Sequence, residues 1–139
     1  MPRVTGGKAH AARLKRLTSP EAVQGIGRAL FAGGQRLEAY AARSITEGAV
    51  SGAAHVASAP GSPPNNDTGV LARNIETVLV EPGKVEVSSN APYAAALEFG
   101  TSKMAERPYM RPAAAATRQE ITELVRSAVE HIAKGGTVR

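Results

Sequence analysis

Cysteine is absent from this chain, so neither a disulfide framework nor a thiolate metal site is available to it. Aromatic residues are scarce, with three tyrosines and two phenylalanines among 139 residues. Much of the 42% hydrophobic content is alanine, which buries little area at about 25 cal/mol per Å². One domain of this length can form a core, but a modestly stable one, which surfaces of partner copies would complete. No apolar run approaches the roughly 18 residues of a membrane span, so no membrane association is expected. The start, Met1-Pro2-Arg3-Val4-Thr5-Gly6-Gly7, has no signal-peptide core, which predicts synthesis inside the cell.

Familiar catalytic patterns are also missing. There is no Gly-x-x-x-x-Gly-Lys phosphate loop, no Gly-x-Gly-x-x-Gly turn, no His-Glu-x-x-His pair and no Gly-x-Ser-x-Gly elbow. His10, His55 and His131 are scattered, without metal partners at ligand spacing. The expectation is a protein that is not an enzyme, with no cofactor and no metal. Two acids are candidates for chemistry. Asp67, beside Thr68 and Gly69, fits an Asx-type turn closing a loop better than a catalytic carboxylate. Glu98, between Leu97 and Phe99, is either a buried acid with a raised pKa or an acid paired with a base such as Lys103 or Arg107 or exposed at a contact; the second is expected.

The net charge of +5 is confined to one place. Residues 1–17 carry Arg3, Lys8, Arg13, Lys15 and Arg16 and no acid, while the rest of the chain is neutral. The chain therefore divides into a basic N-terminal arm, 1–17, and a single domain, 18–139. Two partners suit the arm: the phosphates of DNA, bound with steep salt dependence, or an acidic face on a neighbouring ring. No aromatic residue interleaves the charges and no zinc finger or clear helix-turn-helix accompanies them, which favours protein. A small basic DNA-binding protein stands as the alternative function.

The arm becomes helix-compatible from Ala11. Thr18-Ser19-Pro20-Glu21 then reads as a helix start, with Ser19 as cap, Pro20 in the first turn and Glu21 at the positive dipole end. Val23, Ile26, Leu30, Leu37, Ala41 and Ile45 form one face of a helix reaching about Glu47. Within it Gly33-Gly34 costs about 1 kcal/mol per glycine against alanine, and marks a kink or, as expected here, a close crossing by another backbone. Residues 48–69 form a long loop, proline- and glycine-rich from Pro60. Asn74–Val80 and Val85–Ser88 flank the turn Glu81-Pro82-Gly83-Lys84 as a β-hairpin with Val85 and Val87 on one face. Two strands alone are marginal, so they must pack on the long helix or pair with strands, which neighbouring subunits could supply. A short helix over Tyr93–Phe99 ending in a left-handed cap at Gly100 follows. The last helix starts near Pro112, with Ile121, Leu124, Val125, Ala128 and Ile132 as its apolar stripe and Gly135-Gly136 after its end. The fold class is α+β: a long N-terminal helix, a small antiparallel sheet with a β-hairpin, a long proline-rich loop and a C-terminal helix.

One stretch, 60–113, has a more specific pattern. It contains Asp67-Thr68-Gly69-Val70-Leu71, then Tyr93-Ala94, then Glu98-Phe99-Gly100-Thr101-Ser102-Lys103-Met104, then Pro108-Tyr109-Met110-Arg111-Pro112-Ala113. In content and order this resembles the gene-product-ten tail-component family of lambdoid coliphages. The arm and the start of the loop fall outside that pattern. The resemblance implies a structural protein of the head–tail junction, or neck, of a tailed phage or phage-like particle, made in the host bacterial cytoplasm and residing in the virion. It implies a homo-oligomeric ring, six-fold or twelve-fold, that completes or terminates the tail and meets other neck proteins and the tail tube or terminator. DNA passing the ring would be within reach of the basic arm. Expected ring contacts are Tyr93, Glu98, Phe99, Gly100, Thr101, Lys103, Met104, Pro108, Tyr109 and Pro112. In the subunit, Tyr93, Phe99 and Tyr109 are expected to pack the motif against the hairpin and last helix, with Pro108 and Pro112 stiffening the loop. Whether the motif contacts neighbours or only folds the subunit stays open at this level.

Overall fold

Ser19 opens the longest element. In the computed structural model, which describes residues 3, 5–47, 57–64 and 69–138, its hydroxyl accepts from the Ala22 amide at 3.2 Å. Pro20 occupies the first turn, where a missing N–H costs nothing. Helix α2 runs from there over Pro20–Thr46. Helix α1, Gly7–Leu17, precedes it and begins four residues before the expected Ala11, with Gly6 at φ 83° as its cap. The order continues with α3 (Val70–Arg73), β1 (Ile75–Glu81), β2 (Lys84–Ser89), α4 (Ala94–Phe99) and α5 (Met110–Ala133). This is the α+β architecture expected. The one-turn α3 was not expected, because four residues are too few to show a period.

Gly33 and Gly34 explain how α2 serves as the spine. A Cβ on Gly33 would stand 2.9 Å from Ile121 Cγ2 of α5. One on Gly34 would stand 2.5 Å from Thr77 Cγ2 and 3.0 Å from Val85 Cγ1 of the hairpin. The pair therefore marks close crossings on two sides, α5 on one and the sheet on the other. Thr77 also donates its hydroxyl to Glu38 of α2 at 2.6 Å. The exposed Arg36–Glu120 ion pair joins α2 to α5, and at such exposure it adds little.

The sheet is two-stranded and antiparallel, with Thr77 opposite Val87 and Leu79 opposite Val85. Its turn places Pro82 and Gly83 (φ 82°) centrally, the geometry of a type II turn. That turn splays strands, which fits the irregular register between Leu79 and Glu81. The core joins Ala41 and Ile45 of α2, Leu71, Ile75, Ala91, Ala94, Tyr109 and Ala113. Tyr109 and Ile45 are its largest fully enclosed side chains.

Helix α5 ends as its glycines foretell. Gly136 N–H donates to His131 and Gly135 N–H to Ile132, both at 2.9 Å, with Gly135 at φ 91°. This is a Schellman closure. The chain then turns back over α2, where Val138 C=O accepts from Arg28 at 2.8 Å. Its side chain faces Gly25, where an added Cβ would stand 3.2 Å from Val138 Cβ.

Candidate functional site

The corner between α4 and α5 contains the motif residues 93–112, and Glu98 organises it. Helix α4 carries Glu98 inward, leaving it 6% exposed. Its carboxylate accepts from the backbone amides of Tyr109 (2.8 Å), Met110 (3.0 Å) and Arg111 (2.8 Å). These are donors at the start of α5, which no intrahelical carbonyl can satisfy. The Arg111 Nε adds a fourth bond at 3.0 Å. A side chain eleven to thirteen positions upstream thus caps α5 in place of a local residue, since Tyr109 at the cap position makes no such bond. Burial alone would raise the Glu98 pKa, but the three amides and Arg111 outweigh it and hold the carboxyl below its ordinary value. The expectation of a paired acid holds in kind, with a different partner: Arg111, not Lys103 or Arg107. A raised pKa is ruled out by the same bonds. The signal that could have found the partner is Pro112, which announces a helix start and hence unsatisfied amides just before it.

Arg111 reaches three groups. Besides Glu98 Oε1, its guanidinium donates to the Glu98 carbonyl at 2.6 Å and to Glu106 at 2.9 Å. It also lies 5.2 Å from the centre of the Phe99 ring. The loop between is closed by a small turn, in which Thr101 Oγ1 accepts from the Lys103 and Met104 amides. Arg107 N–H donates to Leu97 C=O at 2.6 Å, tying the loop back to α4. The proline-rich segment joins here too, Gly61 N–H donating to Glu106 C=O at 2.9 Å.

Gly100 differs from its expected left-handed cap. Its φ is 75° but its ψ is 176°, an extended conformation open only to glycine. A Cβ there would stand 2.9 Å from Glu106 N and 3.0 Å from Met104 O, both backbone atoms. Gly100→Ala is therefore expected to destabilise the subunit by about 1–3 kcal/mol, read as a lowered thermal midpoint.

The three aromatic residues separate. Tyr109 is 1% exposed and its hydroxyl shares a 2.6 Å hydrogen bond with Ser89 of β2. Burial raises its pKa against that bond. Tyr93 and Phe99 do not pack inward: they are 44% and 67% exposed. The expectation that all three fill the subunit is corrected on this point, because α4 has one inward face and Ala94 and Glu98 occupy it. Pro112 lies in the first turn of α5, as the expected helix start near it requires; the correction is to its loop-stiffening role, which is left to Pro108 before the helix. Lys103 is exposed, and Met104 and Pro108 are half-buried.

Elsewhere, Gly69 caps α3 at φ 82°, and Leu71 enters the core. Asp67, Thr68 and His55 lie outside the described residues, and so does most of the loop 48–69. In the arm, Lys8, Arg13, Lys15 and Arg16 all belong to α1, which buries no side chain. Arg16 donates to Ala133 C=O at the end of α5, 2.5 Å away. Among the described residues no group of three or more His, Asp or Glu could hold a metal, and no helix is long and apolar enough to cross a membrane.

Comparison with curated proteins and with solved structures gives no significant match. A protein-family model, Bacteriophage HK97-gp10 tail-component, matches residues 8–100. The match starts at Lys8 and so takes in nearly all of α1 and the whole of α2, which the motif pattern had left outside. It ends at Gly100, before the Pro108–Pro112 element. With all but the first residue of α1, together with α2, the hairpin and the Glu98-Phe99-Gly100 corner, inside that span, the chain belongs to the HK97-gp10-like family of bacteriophage tail components, structural parts of the phage particle.

Proposed function

We propose that this chain is a ring-forming subunit of the head–tail junction, which completes or terminates the tail and joins it to the head. Its family membership makes other tail proteins its natural partners. The observation that carries the finer reading is the pairing of a rigid corner with an exposed aromatic. Glu98 and Arg111 hold the α4–α5 corner with five bonds, yet the same corner leaves Phe99 67% exposed. A subunit that only needed to fold would gain by burying that ring. Tyr40, Tyr93, Val78, Leu79 and Val80 are further large apolar side chains at 39–50% exposure. Of these, Val78 and Val80 share the outer face of the hairpin, and exposed apolar side chains that gather in this way mark contact sites, in whose cores aromatic residues are enriched.

The test is Phe99→Ala. The monomer should keep its fold and lose no more than about 1 kcal/mol of stability, the size of the exposed Arg111–Phe99 contact. Rings seen by electron microscopy of the unmutated protein should be lost, together with joining of tails to heads in a mixing assay. Unfolding of the variant would return Phe99 to a purely internal role. A wild-type protein that stays monomeric alone and with tail components would sink the ring reading.

A further inference from the structure

The basic helix and the hairpin present complementary surfaces. Helix α1 has eleven residues, four of them basic and none acidic, and Leu14 is 50% exposed. A helix this short is not stable alone in water. It is tied to the start of α2 through Thr18 and Ser19 and rests against the end of α5, where Arg16 donates to Ala133 C=O. The hairpin has a complementary pattern. Alternation turns Thr77, Val85 and Val87 toward Gly34 of α2, which leaves Glu76, Val78 and Glu86 facing away. Val78 and Val80 are 39% and 45% exposed there. The hairpin carries Glu76, Glu81 and Glu86 against a single base, Lys84, which pairs with Glu86 at 3.6 Å, while Glu76 accepts from Asn90 at 2.6 Å. Both are exposed contacts that leave carboxylate oxygens open to a neighbour's bases.

From this we infer that α1 of one copy lies across the outer face of the hairpin of the next, with Leu14 against Val78 and Val80 and its bases against Glu76 and Glu86. This rests on the ring reading and names the contact that builds it. The two surfaces cannot meet within one chain, because the outer face points away from α2 and the helices stacked on it. A contact between two different surfaces is head-to-tail, and such contacts close into rings when the rotation permits. Lys8, Arg13 and Lys15 have no ion-pair partner among the described residues, so they are available for it.

Two experiments test this on the full chain. In the first, Arg13→Glu with Lys15→Glu, and separately Glu76→Lys with Glu86→Lys, should each weaken self-association at least about tenfold, as removing complementary charge does. Sedimentation velocity would show the shift from ring to monomer, with circular dichroism unchanged. The four changes combined should restore the ring. In the second, Leu14→Cys with Val78→Cys is introduced into the cysteine-free chain. Mild oxidation should give a ladder of covalent oligomers ending at the ring size, whereas each single cysteine should stop at a dimer. Rings that withstand both charge reversals, or a combined variant that stays monomeric, overturn the contact while leaving the ring reading intact. Rings that persist while Arg13→Glu with Lys15→Glu abolishes binding to duplex DNA assign α1 to DNA and overturn it too. A wild-type chain that never self-associates refutes the ring reading itself.

Discussion

Glu98→Ala is expected to destabilise the subunit by about 3 kcal/mol, the cost of leaving the amides at the start of α5 without their buried acceptor, while the half-exposed Arg111 guanidinium returns to water. In a domain of this size that lowers the thermal midpoint by roughly 10 °C or more. The loss exceeds that of an ordinary surface pair because three α5 amides lose their acceptor together. Glu98→Gln keeps the shape but not the charge, and one of its ends would turn N–H groups toward N–H groups, so an intermediate loss follows. The pH dependence has a definite sign. The folded-state pKa of Glu98 lies below its ordinary value of 4.5. Its contribution is therefore complete above the unfolded value and is lost as the pH falls through the lowered folded one. The midpoint difference between wild type and Glu98→Gln should stay constant from neutral pH down to about 4.5 and shrink below it. A difference that grows on acidification would contradict the assignment.

Gly34→Val carries the second large effect. Alanine in place of helical glycine normally stabilises by about 1 kcal/mol, but here the first added carbon already meets Thr77 and Val85. Gly34→Ala should be net destabilising, and Gly34→Val, with two further methyl groups, should cost on the order of 3 kcal/mol. The control is Gly27→Ala on the same helix, where no atom lies within 4 Å of the added carbon. It should raise stability by about 0.5–1 kcal/mol. Chemical denaturation of the three variants checks the contrast. Equal effects at Gly27 and Gly34 would mean that the hairpin does not press on α2 there.

Elements with local punctuation were legible from the residues alone. Ser19-Pro20 starts α2, Pro82-Gly83 turns the hairpin and Gly135-Gly136 closes α5, each through chemistry within a few positions. The glycine pair was legible as a crossing, though not which elements cross. The motif order was legible as a family resemblance, and the matched family agrees with it. Features settled across longer separations were not. Lys103 and Arg107 are nearer to Glu98 in sequence than Arg111, but the carboxylate answers to the unsatisfied amides of a helix start, and only folding brings that start to α4. The same holds for Phe99. Its neighbours in sequence are Glu98 and Gly100, and the former takes the inward position on a helix of only six residues.

The residues by themselves determined the fold class, the absence of thiol chemistry and the placing of all excess charge in residues 1–17, because composition, period and caps act locally. Tertiary structure decided that α1 and the outer hairpin face stay exposed, that Tyr109 is enclosed while Phe99 is not, and that Glu98 joins two helices. Those outcomes depend on which surfaces α2 covers and which it leaves to solvent, and a one-dimensional pattern does not carry that information.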